Sequence, residues 1–474
     1  MNDAASDSNS AASPPDGDPP AVFISVDPST GREIQRYPTL DEQGIEGVVA
    51  RAVAEQERWS RTALSERARV LYELARHLEL EARDYAAIMS REMGKPFREA
   101  IAEVRKCALT ARYFAEHGPT LLSEERVTTD AETSFVRHVP LGVVLAIMPW
   151  NFPFWQVFRF GIPAILAGNT VILKHAPSTM GSALAIEAVL RKAGAPRGLL
   201  QNLPVEVSRI PGLIADPRIA AVTLTGSTAA GRSVAALAGA ALKPLVLELG
   251  GSDPFIVMPS ADLESVVREA VRARVQNNGQ SCIAAKRFIV HETVYSDFKR
   301  RFVTAMEALR VGDPMDESVD IGPLASRAAR TRLQSQVERA VADGGRILLG
   351  GKEAPGRGFY YPPTVIEDLP STSAVAREEL FGPVAILSSV RDLDAALTLA
   401  NATPYGLSAS IWTQVDDEAE RATSTLEAGS VFVNGIPRSD PRLPFGGVKE
   451  SGYGRELGRA GLFAFTSARA IWKR

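Results

Sequence analysis

The sequence predicts an α/β fold: a wound parallel sheet, then a second α/β region, with an apolar C-terminal segment that could form a further strand. Between residues 141 and 250, five short apolar runs alternate with four longer helical stretches. The runs do not alternate apolar with polar residues, as expected for strands that are covered on both faces. A second series of strands and helices begins near Asp253. At roughly 150 residues per domain, a chain of 474 residues is long enough for about three domains.

Residues 22–120 read as mainly helical and are expected to pack over the sheet. Thr39 and Glu42 have the T-x-x-E spacing of a capping box, which predicts a helix start with Thr39 as its N-cap. Leu71, Leu74 and Leu78 form an apolar stripe with helical spacing.

The strands of the first sheet are predicted at the five apolar runs, and the helices between them at four intervening stretches. The strands are expected over residues 143–148, 170–173, 199–203, 221–225 and 245–248, and the helices over 154–166, 178–192, 207–215 and 229–241. Further elements are expected over residues 254–258, 263–275, 287–291, 302–309, 325–344, 392–402, 407–412 and 430–433. The apolar segment 464–472 reads as a final strand.

Composition excludes several classes of protein. The chain has 53 basic and 56 acidic residues, so its net charge of -3 gives no overall attraction to nucleic acid or to an anionic membrane. No apolar run approaches the roughly 20 residues that span a bilayer. Residues 1–21 are rich in Ser, Asp, Pro and Ala and predict a disordered tail rather than a signal peptide. Two cysteines cannot form a disulfide framework, which favours a reducing compartment, the cytoplasm.

Unusual residues follow four of the predicted strands. These segments are PWNFP at 149–153, KHAPS at 174–178, TGST at 225–228 and ELGG at 248–251. Ligands of wound parallel sheets bind outside the carboxyl ends of the strands. The four segments are therefore expected along one edge of the sheet, at a ligand site.

Two of these segments suit a cofactor that contains phosphate. Gly226 and Ser227 follow a strand and open a helix, where free backbone amides can hold phosphate; a tight turn with packing glycines is the alternative. Lys174 would reach a ribose or a phosphate, and a snorkelling surface lysine is the alternative. His175 is interpreted as structural or solvated.

Cys282 is the candidate nucleophile. Polar residues and glycine precede it and small residues follow it, as for a thiol on a loop, whereas Cys107 lies in a helical stretch and is expected to be inert. A nucleophilic thiol needs a base and an oxyanion donor, and Glu248 and Asn151 are the candidates at the sheet edge. These residues would also suit a cofactor-free thiol hydrolase, which would leave Lys174 and the glycine turn without a role.

Seven motifs in order resemble the NAD(P)-dependent aldehyde dehydrogenases over nearly the whole chain. They are PWNFP at 149–153, Lys174, GS at 226–227, LELGG at 247–251, GQSC at 279–282, ELFGP at 379–383 and PFGGVKESG at 444–452. The stretches LKHAP at 173–177 and LGGSDPFIV at 249–257 are most similar to the succinate-semialdehyde dehydrogenase branch. The resemblance implies oxidation of an aldehyde to a carboxylic acid, with succinate semialdehyde as the expected substrate. A broad-specificity aliphatic or aromatic aldehyde dehydrogenase is the alternative, with Phe154, Trp155 and Phe158 lining an apolar tunnel.

The resemblance also implies roles for individual residues. Cys282 would form a thiohemiacetal and then a thioester, Asn151 would hold the oxyanion, and Glu248 would activate water. No metal is implied. The implied cofactor-binding residues are Trp150, Asn151, Lys174, Pro177, Ser178, Gly226, Ser227, Leu249, Glu379 and Phe381.

Two positions depart from the pattern of the family. Pro177 stands where NAD-selective members carry an acidic residue that repels a 2′-phosphate, so NADP is expected to be accepted as well as NAD, with the preference open. The substrate residues implied are Arg159, Ser439 and Phe445. A second arginine of the succinate-semialdehyde branch would fall at Gln276, and Arg438, Arg442 or Ser439 is considered as its replacement.

The resemblance finally implies a domain division. A cofactor-binding domain is expected over residues 22–122 and 141–250, and a catalytic domain over 251–435. A small β oligomerisation arm is expected over residues 123–140 and 455–474. An exposed edge strand is usually covered, so this arm predicts a homodimer or homotetramer.

Overall fold

The computed structural model describes residues 21–474, so the tail predicted over residues 1–21 lies, apart from Ala21, outside the described residues. The helices are α1 (Glu42–Trp59), α2 (Leu64–Leu80), α3 (Ala82–Met93), α4 (Phe97–Leu121), α5 (Pro153–Ala167), α6 (Met180–Lys192), α7 (Ile210–Ala215), α8 (Thr228–Ala240), α9 (Leu263–Val275), α10 (Glu292–Glu307), α11 (Arg327–Ala342), α12 (Leu393–Asn401), α13 (Asp416–Thr425) and α14 (Gly458–Phe463).

The strands follow in the same chain order. They are β1 (Val22–Asp27), β2 (Arg32–Pro38), β3 (Glu125–Arg126), β4 (Thr133–Pro140), β5 (Val143–Ile147), β6 (Thr170–Lys174), β7 (Leu200–Asn202), β8 (Ile219–Thr225), β9 (Leu245–Glu248), β10 (Asp253–Val257), β11 (Ala285–His291), β12 (Arg346–Leu349), β13 (Thr364–Glu367), β14 (Val384–Val390), β15 (Tyr405–Gly406), β16 (Ser408–Trp412), β17 (Ser430–Val433), β18 (Val448–Lys449), β19 (Gly452–Tyr453) and β20 (Thr466–Lys473).

The start of the described chain is not helical, contrary to the expectation from sequence. Strands β1 and β2 form an antiparallel hairpin, and its turn ends at Gly31, whose φ of 69° suits glycine. The four helices α1–α4 follow. The predicted N-cap is also wrong: Asp41 caps α1 by accepting a hydrogen bond from the Gly44 amide at 2.7 Å. Asp41 takes this role because its carboxylate stands directly before the first turn, two residues beyond Thr39.

A six-stranded sheet contains the five strands predicted from the first apolar runs. Its order is β19-β9-β8-β5-β6-β7, with all pairs parallel except the antiparallel edge pair β19–β9. Strands β5, β6 and β8 are almost wholly buried, which explains why they lack alternation. Because these strands run parallel, the segments after β5, β6, β8 and β9 emerge at one edge of the sheet.

A seven-stranded sheet forms the second α/β region, in the order β12-β13-β14-β11-β10-β16-β17. Its pairs are parallel except for β12 with β13. Strand β10 begins five residues after Glu248, and β11 begins three residues after Cys282. The loop before β11 thus brings Cys282 to the carboxyl-end edge of the first sheet. The predicted α/β fold is confirmed.

A three-stranded sheet has the order β20-β4-β3. Strand β20 pairs antiparallel with β4 over eight residues, from Thr466 opposite Pro140 to Lys473 opposite Thr133. Within residues 21–474, the outer edge of β20 has no partner strand, and most of its side chains are exposed.

No helix within residues 21–474 combines the length and the apolar composition that crossing a bilayer requires.

Candidate active site

Two cavities adjoin the carboxyl-end edge of the six-stranded sheet. The first, the strand-end cleft, has a volume of about 880 Å³ and is lined by Pro149, Trp150, Asn151, Gln156, Thr225, Gly226, Ser227, Leu249, Gly250, Cys282, Ala329, Arg332, Leu333, Gln336, Glu379 and Phe381. The second, the α4–α5 cavity, has a volume of about 1690 Å³ and is lined by residues of α4, α5 and α9, by Phe152, Gln276 and Trp412, and by the segment 432–438.

The wall between the two cavities consists of two short segments. In segment 151–156, Asn151 and Gln156 line the strand-end cleft, whereas Phe152 and Trp155 line the α4–α5 cavity. In segment 276–282, Gln276 lines the α4–α5 cavity and Cys282 lines the cleft. Cys282 therefore lies on the cleft side of a segment that separates the two cavities.

Cys282 is the more accessible of the two free cysteines, since Cys107 is fully buried in α4. Burial raises the pKa of the Cys282 thiol to about 12, while the positive charges of Arg159 and Lys286 oppose that shift. The free thiol is therefore mostly protonated at neutral pH, and attack on an electrophile requires removal of its proton.

Asn151 lies beside Cys282 because a network of asparagines holds the loop. The Asn151 side-chain amide donates to the Gln280 carbonyl at 3.1 Å, and Asn277 donates to the Asn151 carbonyl at 2.7 Å and to the Gln280 carbonyl at 2.9 Å. Asn277 adopts a left-handed conformation with φ 55°, which asparagine tolerates better than most residues. Sequence reasoning missed Asn277, although the Asn-Asn-Gly string before Cys282 was a signal for such a turn.

Glu248 ends β9 and is 2% exposed. Neither of its carboxylate oxygens has a hydrogen-bond partner among residues 21–474, and Gly446 packs so closely that a Cβ there would stand 2.6 Å from Oε1. Burial raises the pKa of the Glu248 carboxyl well above its usual value, and Arg159 opposes the shift. A carboxyl of this kind can accept a proton near neutral pH.

Arg159 is buried between two acidic groups. Its guanidinium forms an ion pair with Glu456 and stacks over the Phe445 ring at 4.4 Å from the centroid. Burial lowers the pKa of Arg159, but the electrostatic interactions with Glu456, Glu248 and Cys282 together outweigh burial, so the pKa is raised. Its Nη2 has no hydrogen-bond partner in the described chain. Sequence reasoning missed Glu456, which lies 297 residues from Arg159.

Ser439 lies on the side of the α4–α5 cavity, where it accepts a hydrogen bond from Lys106 at 2.6 Å. Lys106 lines this cavity and was also missed, because α4 offers no sequence signal that distinguishes it from a surface lysine. Of the other arginines considered, Arg438 lines the cavity, whereas Arg442 is 71% exposed and pairs with Asp440 in its own loop.

Aromatic residues proposed for an apolar tunnel do not form one. Phe154 and Phe158 are fully buried and contact each other in the core, with ring centroids 6.2 Å apart. Trp155 alone of the three lines the α4–α5 cavity. Helix α5 turns the other two rings away from the cavity because they lie on its core face.

Seven of the ten predicted cofactor residues line the strand-end cleft, namely Trp150, Asn151, Gly226, Ser227, Leu249, Glu379 and Phe381. The rings of Trp150 and Phe381 meet edge to face, with centroids 5.8 Å apart. Ser227 caps α8 by accepting from the Ala230 amide, and Glu379 accepts from the Gly251 amide at 3.0 Å.

The other three predicted cofactor residues, Lys174, Pro177 and Ser178, lie one strand further along the same edge. Lys174 is opposite Ile147 in the pairing of β6 with β5, and its carbonyl accepts from the Met148 amide. Pro177 is exposed at the turn that follows, and burial lowers the pKa of Lys174. The solvated reading of His175 is wrong: its ring is buried against the Pro153 carbonyl at 3.0 Å, and burial lowers its pKa to about 4.

Lys286 is a further residue that sequence reasoning missed. Its buried ammonium donates to the carbonyls of Ser281 at 2.8 Å and Cys282 at 2.6 Å, and it lies 4.0 Å from Glu379. Lys286 therefore holds the backbone of Cys282, the residue that carries the thiol, in place. Its position four residues after the cysteine carried no recognisable pattern.

The cleft has the features that a dinucleotide requires. A Cβ at Gly226 would meet no atom nearer than 3.5 Å, so a ligand can approach the backbone there. The hydroxyls of Thr225 and Thr228 are buried without partners in residues 21–474. Backbone amides in the first turn of a helix have no intrahelical partners and attract phosphate. The residues present at α8 fit a pyrophosphate.

Comparisons with known proteins agree with this geometry. Residues 16–471 match the Aldehyde dehydrogenase family. The chain is 48% identical over 457 residues to succinate-semialdehyde dehydrogenase [NADP(+)] of Mycobacterium avium (strain 104), covering 95% of this chain and 96% of that protein. It is 47% identical over 453 residues to succinate-semialdehyde dehydrogenase [NADP(+)] 1 of Mycobacterium tuberculosis (strain H37Rv), covering 95% and 99%.

Two solved structures have the same fold. Succinic semialdehyde dehydrogenase of Streptococcus pyogenes, in complex with NADP+, has a TM-score of 0.93 and 34% identity and covers 95% of this chain and 99% of that one. PnpE in complex with nicotinamide adenine dinucleotide has a TM-score of 0.92 and 34% identity, with coverage of 95% and 94%. The chain belongs to the aldehyde dehydrogenase family, whose members oxidise aldehydes with a nicotinamide cofactor.

Proposed function

We propose that this enzyme oxidises succinate semialdehyde to succinate and accepts NADP as well as NAD. The observation that supports this substrate is the position of Arg159. It is a buried cation with a free Nη2, and its charge acts on both Cys282 and Glu248. A guanidinium in such a place suits a substrate that carries a carboxylate. The relatives named succinate-semialdehyde dehydrogenase [NADP(+)] support the same class.

In the proposed reaction, the Cys282 thiol releases its proton to solvent and the sulfur attacks the aldehyde carbon, which gives a thiohemiacetal with a negatively charged oxygen. Asn151 has a second amide N–H beyond the one bound to the Gln280 carbonyl, and with the Cys282 backbone amide it would hold the developing oxyanion. A nicotinamide bound in the strand-end cleft would accept the hydride of the substrate carbon. The sulfur then carries a thioester.

Hydrolysis of the thioester is assigned to Glu248. Its carboxylate would take a proton from a water molecule as the water oxygen attacks the thioester carbon. The C–S bond then breaks, the carboxylic acid leaves, and the Cys282 thiol is restored. The buried setting of Glu248 supports this role because it raises the pKa of the carboxyl toward the working range.

The cofactor would lie along the sheet edge. We assign Gly226 and Ser227 to the pyrophosphate, Trp150, Leu249 and Phe381 to apolar contacts, and Glu379 to the nicotinamide ribose. Lys174 and Ser178 would meet the adenosine ribose or its 2′-phosphate. Asn151 lines the cofactor space and would also lie beside the reacting carbon. The absence of a carboxylate at Pro177 supports acceptance of NADP.

The substrate class is tested by two aldehydes that differ mainly in charge. Succinate semialdehyde carries a distal carboxylate, and 4-oxobutanamide carries a neutral amide of similar size. We expect kcat/KM to favour the acid by about 100-fold, as charged hydrogen bonds of about 3 kcal/mol allow. Equal kcat/KM values, or a preference for benzaldehyde, would favour the broad-specificity alternative.

The alternative without a cofactor has little support. A thiol hydrolase needs Cys282 and Glu248 but gives no role to the cleft beside Gly226 and Phe381. Absorbance of reduced nicotinamide that appears only when aldehyde is added distinguishes the two activities.

We further propose the domain division and assembly expected from the sequence. Residues 22–122 with 141–250 would bind the cofactor, residues 251–435 would carry the nucleophile, and residues 123–140 with 455–474 would form the arm. The free edge of β20 supports a homodimer or homotetramer, because exposed edges tend to pair. Light scattering that gives a monomer mass would contradict this assembly.

The compartment proposed is the cytoplasm. Both cysteines are free in the described chain, and a nucleophilic Cys282 must stay reduced to react. Cell fractionation that found the enzyme in an oxidising compartment would contradict this proposal.

A further inference from the structure

The α4–α5 cavity contains a cation that the proposed reaction has not yet used. Lys106 projects from α4 into this cavity, where its ammonium donates to the Ser439 hydroxyl at 2.6 Å. The same ammonium lies over the Trp155 ring, 4.3 Å from the centroid. The lysine is therefore held in one place by two partners from distant parts of the chain.

The carboxylates near Lys106 are committed to other groups. Glu103 forms an ion pair with Lys95 and accepts from the Phe154 and Trp155 amides at 3.0 and 2.9 Å. Asp440 accepts from Arg442 at 2.8 and 2.6 Å. Within residues 21–474, Lys106 has no acidic group within ion-pair distance.

The remaining groups that face Lys106 leave its charge uncompensated. Arg159 adds a second positive charge, and burial keeps the Cys107 thiol neutral by raising its pKa. Burial and Arg159 lower the pKa of Lys106 to about 8. Gln276, which also lines the cavity, offers a neutral amide. The cavity is also lined by Glu99, Glu269, Arg272 and Arg438, so its charges are mixed, and it is the Lys106 ammonium without an acidic partner that favours an anion.

We propose that the Lys106 ammonium and the Ser439 hydroxyl bind the distal carboxylate of the aldehyde. Ser439 accepts from the lysine and keeps its own O–H to donate, so the pair presents two donors to one carboxylate. Arg159 is already paired with Glu456, so it would contribute to binding of the carboxylate through its positive charge. This inference rests on the proposed function. It assigns to Lys106 the preference for an aldehyde that carries a distal carboxylate.

The test measures kcat and KM for succinate semialdehyde and 4-oxobutanamide in four proteins: wild type, Lys106→Met, Lys106→Arg and Lys192→Met. Lys192 is a half-exposed lysine paired with Glu81 and serves as the control. Lys106→Met should raise KM for the acid about 30-fold with little change in kcat, and should leave KM for the amide unchanged. Lys106→Arg should recover much of the affinity for the acid, and Lys192→Met should behave as wild type.

Two failures are distinguishable. If the wild type does not discriminate the acid from the amide, the proposed function is wrong. If the wild type discriminates and Lys106→Met keeps the same ratio, the carboxylate is bound elsewhere and only this inference is overturned. Ser439→Ala provides a second reading: it should raise KM for the acid by about 5-fold and leave the amide unaffected.

A measurement on the unmodified enzyme covers the case that Lys106→Met does not fold. Cyanate carbamylates neutral amines, and mass spectrometry reports the extent of reaction at Lys106. Succinate should slow carbamylation of Lys106 and leave that of Lys192 unchanged, while succinamide should protect neither. Equal modification of Lys106 with and without succinate would contradict the proposal.

Discussion

The strand-end cleft and the α4–α5 cavity share a wall but recognise ligands by different means. The cleft presents backbone, small residues and rings, such as Gly226, Ser227 and Phe381, with few charges. The α4–α5 cavity is lined by charged side chains, namely Glu99, Glu103, Lys106, Glu269, Arg272 and Arg438. The comparison teaches that the two sides of this wall differ: the cleft offers backbone and rings to a large ligand, and the α4–α5 cavity offers charged groups beside apolar rings.

This difference follows from how each space is built. The cleft forms where parallel strands end. Its lining therefore comes from the segments that follow neighbouring strands of the sheet, in the order of those strands. The α4–α5 cavity forms where helices and a late loop happen to pack, so its character depends on individual side chains. Changes in the cleft should therefore alter cofactor use with every aldehyde, and changes in the α4–α5 cavity should alter the choice of aldehyde alone.

The largest effect is expected at the shared wall. Cys282→Ser should lower kcat by about 10⁴-fold for every aldehyde and with either cofactor, because the serine hydroxyl is a far weaker nucleophile than the thiol. Stopped-flow absorbance of reduced nicotinamide measures the loss. Cys107→Ala is the matched control: it removes the other thiol, from a fully buried site in α4, and should retain wild-type kcat. A loss of kcat confined to one class of aldehyde would contradict the position of Cys282 in a wall that serves both cavities.

Glu248→Gln should have the next largest effect, lowering kcat by about 10³-fold. Below its raised pKa the carboxyl is neutral and cannot take a proton, so the wild-type rate should rise as the pH increases through that raised pKa. The variant should lose that rise while still producing one burst of reduced nicotinamide per active site. A variant whose burst also disappears would place Glu248 before the thioester rather than after it.

Pro177→Glu should have a smaller effect, limited to the cleft. A carboxylate at this exposed turn near Lys174 should repel a 2′-phosphate and raise KM for NADP by about 30-fold, or about 2 kcal/mol. The KM for NAD should stay within about 3-fold of wild type, and the choice between succinate semialdehyde and 4-oxobutanamide should not change. Pro177→Gln is the control, because glutamine has the same length as glutamate but no charge. It separates the effect of charge repulsion from the effect of losing the proline backbone. Equal changes in KM for NADP and NAD would contradict the placement of Pro177 beside the 2′-phosphate in the cofactor site.

Much of the cleft could be predicted, and the reason is local. Apolar runs without alternation located β5, β6, β8 and β9, and their parallel order placed the residues after them at one edge. Asn151 and Cys282 line the same cleft in the structure, as do Gly226 and Phe381. The hairpin β1–β2 was missed because β2 is almost wholly exposed and carries no apolar pattern, and because β1 is short and only partly buried.

The substrate side was predictable only in part. Arg159 was found through its motif, but nothing in that motif indicated that Glu456 would pair with it or that Phe445 would cover it. Lys106 was passed over because a lysine in a helix usually faces solvent. Its role depends on Ser439, which is 333 residues away in the chain.

The amino-acid sequence by itself determined the family, the wound sheet and the thiol chemistry, because each is written in short motifs and in the spacing of apolar runs. The tertiary structure decided which charges are compensated: Arg159 by Glu456, Glu103 by Lys95, and Lys106 by no acidic group in the described chain. The physical reason is that the energy of a buried charge depends on neighbours within a few ångströms, and packing alone brings residues hundreds of positions apart to that distance.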